Sequence, residues 1–245
     1  MKPAIQVKGL VKGFGGVHAV DHLSLSIEAG KITGIIGPNG SGKTTLTNVL
    51  TGFHGIDAGT IIVGGEKERG NIKPYDVREL GVSRTFQNIR LFEQMTVLDN
   101  ILVVLTPRSV LGSFSKKHIT FHEEKAKNIL EKTELWGKRH ENASALSYGQ
   151  RKLLEIARAL ATDADIIFFD EPYAGLFPEM VKLVSVIMKE LRAAGKTVIL
   201  IEHDMALIRE LCDTVIVLEA GKLLAEGEPE EVLADPKVIE AYLGV

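Results

Sequence analysis

The chain has 245 residues, 45% of them hydrophobic and 25% charged, with a formal net charge of −3 and one cysteine. That composition suits one folded core with a smaller attached lobe, and it excludes a disordered chain, a disulfide scaffold and a broadly basic nucleic-acid-binding surface. No charged-then-apolar leader opens it and no apolar run approaches the roughly 18 residues of a membrane span, so a cytosolic chain is expected, with any membrane role supplied by partners.

In chain order, residues 5–10 and 23–27 alternate apolar and polar side chains as half-buried strands do. Between them Phe14 is flanked by Gly13, Gly15 and Gly16, a setting poorly suited to helix or strand core and open to stacking on a ligand. A short β-rich run over 31–36 leads into Gly37-Pro38-Asn39-Gly40-Ser41-Gly42-Lys43-Thr44-Thr45, which fits the G-x-x-x-x-G-K-[ST] phosphate loop. The chemistry needs each part. The glycines let successive N–H groups turn onto phosphate oxygens, Lys43 carries a point charge to the β- and γ-phosphates, and the Thr44 hydroxyl suits Mg2+. Leu46, Val49 and Leu50 recur at helical spacing behind the loop, so a helix N-terminus is expected to face the anion; Gly52 marks the helix end.

Turn residues at 57–60 and 64–65 bracket the apolar 61–63, which completes a small antiparallel sheet near the loop. A strand-like 81–86 precedes Gln87. Residues 93–160 read as mostly helical: Thr96 and Asp99 resemble a capping box, and Ala126, Ile129 and Leu130 form one stripe. Leu146-Ser147-Tyr148-Gly149-Gln150 opens a helix whose Leu153, Leu154, Ala157, Leu160 and Ala161 share a face. Beyond it, strand runs at 166–169, 198–201 and 215–218 alternate with helices near 180–193 and 205–212, the pattern of a parallel sheet covered by helices. The first of these strands is wholly apolar and ends in Asp170-Glu171, where sheets of this kind gather ligands. Asp170 suits the Mg2+ shell, and Glu171 the orientation and deprotonation of an attacking water. Taken singly, Ser147 reads as an ordinary helix cap, Gln87 as a surface glutamine, His203 as an exposed loop histidine and Cys212 as buried filler.

Together these segments resemble the ATP-binding subunit of an ABC transporter. GPNGSGKT matches the Walker A motif, IIFFDE the Walker B motif and LSYGQ the family signature, with Tyr148 where the family has glycine. Gln87 matches the Q-loop glutamine, His203 the switch histidine, and Phe14 the aromatic that stacks on adenine. The resemblance covers essentially the whole chain. It implies an α/β fold: a P-loop NTPase core with a parallel sheet and flanking helices, an antiparallel β subdomain, and a helical signature subdomain, divided as 1–92 with 160–245 and about 93–159. It implies ATP bound by Phe14 and residues 37–45, Mg2+ held by Thr44, Gln87 and Asp170, and catalysis by Glu171, Gln87 and His203. Two such subunits, identical or not, would face each other head to tail with ATP sandwiched between them. Ser147, Tyr148, Gly149 and Gln150 would then contact the partner's nucleotide, and closing and reopening would move membrane-embedded permease subunits. Phe177 replaces a residue usually polar in the family, so apolar area is expected there at the subunit interface.

Arg84-Thr85-Phe86-Gln87, the run from Leu91 to Val97, Ile201-Glu202-His203-Asp204-Met205 and the tail from Asp235 to Gly244 resemble the branched-chain amino-acid importer subfamily, in its longer form. An insertion over 106–120 belongs to that form, either a surface loop or a face that meets the membrane subunits. A solute-binding protein outside the membrane would act through the permeases, which would hold this chain at the cytoplasmic face; no nucleic acid is implied. Relatives that import urea and other amides or export lipopolysaccharide share much of the signature. Soluble repair or chromosome ATPases usually split the Walker motifs with coiled coils or zinc modules, and translation ATPases carry two cassettes; neither feature occurs in this chain. Intact Glu171, Gln87 and His203 argue against a regulatory module without catalysis.

Overall fold

Runs of Ile, Val, Leu and Phe with no polar alternation leave no face for water, so they belong inside a sheet covered on both sides. The computed structural model describes residues 3–65, 68–106 and 116–243. They form two compact units, the first holding residues up to Arg84, Asp165–Glu171 and those from Met188 onward, the second Thr85–Ala164 and Pro172–Ile187. The first unit begins with β1 (Pro3–Phe14), β2 (Val17–Glu28), β3 (Ile32–Ile36), α1 (Lys43–Leu50), β4 (Ala58–Val63), α2 (Asp76–Glu79) and β5 (Val82–Arg84). The second contains α3 (Val97–Leu105), α4 (Lys116–Lys132) and α5 (Tyr148–Ala161). The chain returns to the first unit with β6 (Ile166–Asp170), and α6 (Pro178–Ala193) passes from the second unit into the first. Then follow β7 (Thr197–Ile201), α7 (Met205–Leu211), β8 (Thr214–Glu219), β9 (Lys222–Gly227), α8 (Pro229–Ala234) and α9 (Pro236–Leu243).

The large sheet runs β5-β6-β7-β3-β8-β9, with every pair parallel except the last. β3 therefore sits centrally between β7 and β8, and its carboxyl end shares an edge of the sheet with those of β6, β7 and β8. That edge is where open parallel sheets hold ligands. The small sheet is antiparallel, in the order β2-β1-β4. Leu10, Leu23 and Ile61 from it, Leu46 and Leu50 from α1, and Ile35, Phe168, Ile199 and Ile216 from the large sheet make one buried cluster. In the second unit α3, α4 and α5 pack on one another through buried Ile101, Leu105, Ala126, Leu130, Leu154 and Ala157.

Several elements depart from the sequence expectation. β1 runs on past Leu10 because Gly9, at φ 55°, forms a bulge and donates its N–H to Ser24 Oγ at 2.8 Å; the alternation shifts there, so Leu10 and Val11 are both buried. β5 stops at Arg84 rather than running to Phe86, whose N–H goes instead to Glu155 Oε1 at 3.1 Å. β9, α8 and α9 are not among the elements expected from the sequence. Most of the insertion expected over 106–120 falls on 107–115, which lies outside the described residues.

Candidate functional site

β3 delivers the chain to a loop that its glycines make possible. Gly37, Gly40 and Gly42 have φ of 147°, 79° and 101°, in the region that side chains resist. Two of the glycines are also needed for space: a Cβ would fall 2.1 Å from Leu218 O at Gly37 and 2.3 Å from Ala19 O at Gly42. At Gly40 it would meet nothing within 4 Å, so the loop is packed against protein on one side and open on the other. Ser41 is buried, its N–H donates to Pro38 O at 3.2 Å and its carbonyl accepts from Gly221 N at 3.0 Å, while Asn39 and Gly40 stand exposed. α1 begins at Lys43, whose Nζ donates to Gly37 O at 2.7 Å and Pro38 O at 3.0 Å. Burial holds this ammonium below the usual lysine range, against the upward pull of nearby Glu171 and Asp170. Thr44 is exposed at the helix head, Thr45 half-buried beside it, and Gly52 (φ 75°) follows the helix end.

The acidic pair closes β6. Asp170 is buried and its Oδ2 accepts from Arg84 Nη2 at 2.6 Å; both side chains are about 5% exposed, and Arg84 Nη1 reaches Asn48 Oδ1 and Thr51 Oγ1 on α1. Glu171 adopts φ 46°, costly for a side chain of its size, while its N–H donates to Ile201 O at 3.0 Å. His203 follows β7 with 70% of its side chain exposed; its N–H donates to the buried Glu202 carboxylate at 3.1 Å. Phe14 is the last residue of β1, beside a Gly15-Gly16 hairpin turn and 46% exposed, with His54 edge-on at 5.3 Å and Lys12 Nζ 5.1 Å from its centroid. It is a strand end rather than a residue of the turn, but its face is not used by the core.

In the second unit Ser147 caps α5. Gln150 N donates to Ser147 Oγ at 3.3 Å, and Ser147 N donates to Gln150 Oε1 at 3.1 Å, which completes a capping box. Tyr148 is exposed, and its ring lies against Gly175, where a Cβ would come within 2.8 Å. Gly149 is buried against Met180. Gln87 is exposed, and Phe177 is 71% exposed.

Residues 20–174 match the family described as ABC transporter, and residues 222–245 match the branched-chain amino acid ATP-binding cassette transporter family. This chain belongs to the ABC transporter ATP-binding family. The high-affinity branched-chain amino acid transport ATP-binding protein BraF of Pseudomonas aeruginosa is 39% identical to this ABC ATPase over 99% of the chain and 98% of its own length. LivG of Salmonella typhimurium, described in the same words, is 40% identical over the same shares. Among solved structures, a nucleotide-free ATP-binding cassette from an ABC transporter superposes with a TM-score of 0.86 at 38% identity, covering 99% of this chain and 100% of that one. The ADP conformation of MJ1267, an ATP-binding cassette of an ABC transporter, gives 0.85 at 37% identity, covering all of both chains.

The cradle of this ABC ATPase fits a nucleotide's phosphate chain: glycine-shaped backbone, a lysine at the head of a helix, and an open side at Gly40. Sequence reasoning did not single out Arg84, Glu155, Arg158 or Tyr242, of which Arg84 and Tyr242 touch site residues of the first unit. Arg84 entered only as part of a subfamily marker; it closes the short strand Val82-Ser83-Arg84, and its burial against a carboxylate is set by the tertiary fold. Glu155 on α5 accepts from Phe86 N and, at 3.4 Å, from Arg90 N, while Arg158 donates to Arg90 O, so one helix holds both the signature and the backbone around Gln87. Tyr242 on α9 accepts from Gly37 N at 2.6 Å, and no local pattern announces it. Cys212 is buried filler as expected, its thiol pushed up to about 12 by burial.

Proposed function

We propose that this chain hydrolyses ATP to drive import of branched-chain amino acids through partner membrane subunits. One arrangement carries the chemistry: β3 leads through the glycine-shaped loop to Lys43 at the head of α1, and β6, parallel to it in the same sheet, ends in Asp170-Glu171. The solute rests on relatives of matching full length that are named for branched-chain amino acid transport. The amides of residues 37–45 and Lys43 would grip the phosphates, and Phe14 would stack on adenine. Thr44 and Asp170, with Gln87, supply the hard oxygen ligands that suit Mg2+, which when bound shields phosphate charge. Glu171 would orient water for attack on the γ-phosphorus and take its proton as the bond to the ADP oxygen breaks, and His203 would hydrogen-bond the γ-phosphate.

Ser147, Tyr148, Gly149 and Gln150 would complete the site of a facing subunit, either a second copy or a different ATPase. Phe177 would add apolar area to that interface. The nucleotide core and the helical unit would act as separate lobes, the helical one meeting the permeases. Among the described residues no helix is long and apolar enough to cross a membrane, so attachment at the cytoplasmic face would come through those permeases, fed by a solute-binding protein on the far side. The test is reconstitution with its permease and partner ATPase subunits in vesicles holding ATP. Leucine uptake that requires Glu171 is expected. Uptake of urea or an amide instead, or lipid export, would overturn the solute; absence of phosphate release would overturn the enzyme.

A further inference from the structure

The tail that marks the subfamily reaches into the phosphate loop. Three groups converge on Gly37, two of them from distant parts of the chain. The end of β8 packs against it so closely that a Cβ would fall 2.1 Å from Leu218 O. Lys43 Nζ donates to its carbonyl at 2.7 Å. Its N–H donates to the Tyr242 hydroxyl at 2.6 Å, more than two hundred residues away in the chain. The packing of α9 fixes where that hydroxyl sits. Val238, one helical turn before Tyr242, is buried, and α9 packs on α8 and β9. Burial also raises Tyr242 above the usual phenol range, so the hydroxyl stays neutral at physiological pH.

We propose that Tyr242 is a positioning residue of the nucleotide site, whose hydroxyl holds the Gly37 amide so that the phosphate loop keeps its shape and nucleotide occupancy is coupled to docking of α9. This rests on the reading that the loop binds ATP. Lys43 has three donors to share between phosphate oxygens and the carbonyls of Gly37 and Pro38, whereas Tyr242 holds the Gly37 amide from outside the loop. By reciprocity, a loop shaped by nucleotide strengthens the α9 contact, and a docked α9 favours nucleotide.

Tyr242→Phe deletes the hydroxyl and keeps the ring; Tyr242→Ala deletes both. Calorimetry of the full chain with ADP and magnesium should show binding about 3- to 10-fold weaker in Tyr242→Phe, the scale of one hydrogen bond. Hydrogen exchange of the 236–243 amides should slow on adding ADP to wild type, and slow less in Tyr242→Phe. A purely structural role would lower the melting temperature equally with and without nucleotide, whereas the coupling shrinks the nucleotide-induced rise. Wild-type ADP affinity in Tyr242→Phe, or an unchanged nucleotide-induced rise, overturns the inference. If wild type itself fails to bind ADP, the nucleotide-site reading falls instead, so the two failures are distinguishable.

Discussion

At the residue scale, the acidic end of β6 shows two carboxylates in different environments. Asp170 is buried and held by a guanidinium, while Glu171 is turned by a left-handed backbone into a half-buried position near Lys43. That division suits one carboxylate for holding and one for proton transfer. Glu171→Gln preserves size and the phosphate cradle, so ATP affinity by calorimetry should stay within about 3-fold while phosphate release falls at least about 100-fold, the usual scale for losing a general base; rapid release would remove Glu171 from that role. Arg84→Met leaves the Asp170 charge buried without its guanidinium, which should cost about 3–5 kcal/mol in urea unfolding. Adding Asp170→Asn to Arg84→Met removes the stranded charge and should restore part of that loss. No recovery would mean that Arg84 matters mainly through Asn48 and Thr51.

At the element scale, α5 ties several segments of the second unit together. Its first turn is capped by Ser147 and Gln150, and its middle carries Glu155 and Arg158 to the backbone of Phe86 and Arg90. The backbone on either side of Gln87 is therefore bonded directly to the helix that Ser147 caps. Burial pushes Glu155 above the usual carboxylate range, while the Phe86 amide, Lys152, the Arg90 amide and Arg158 pull it down. A carboxyl that holds its proton more tightly when folded lowers stability as pH rises from the unfolded value through the raised one, and the loss is complete above it. Glu155→Gln keeps an acceptor for both amides without the charge. Wild type should therefore lose stability relative to Glu155→Gln as pH rises from about 4.5, the ordinary value, through the raised range. Parallel stability profiles of the two proteins would show that Glu155 ionises without cost.

At the scale of the whole molecule, a ligand that binds only the folded chain stabilises it by mass action, by about 2.7 kcal/mol at a hundred times its Kd. For a chain of 245 residues that corresponds to a rise of about 5–11 °C in melting temperature. ATP with magnesium should produce such a rise in Glu171→Gln and a smaller one in Lys43→Ala, read by calorimetric scanning. An equal rise in both would detach the stabilisation from the phosphate loop. With ATP, Glu171→Gln should also elute from gel filtration as a dimer, since the interaction that favours closure persists while hydrolysis is blocked.

The amino-acid sequence alone determined the glycine pattern of the loop, the buried parallel strands and the order of the main elements as far as β8. Each depends on local rules: glycine where φ must be positive, unbroken apolar runs where both faces of a strand are covered, and capping residues at helix starts. Residues 37–45, Asp170, Glu171 and the Ser147 cap were legible for that reason. Only the tertiary structure decided what lies across the chain from them. Arg84 meeting Asp170, Glu155 meeting the backbone before and after Gln87, and Tyr242 meeting Gly37 each join segments far apart in sequence. Such pairings follow from which strands become neighbours and which helix covers an edge, set by burial summed over the whole core and carrying no local period to read.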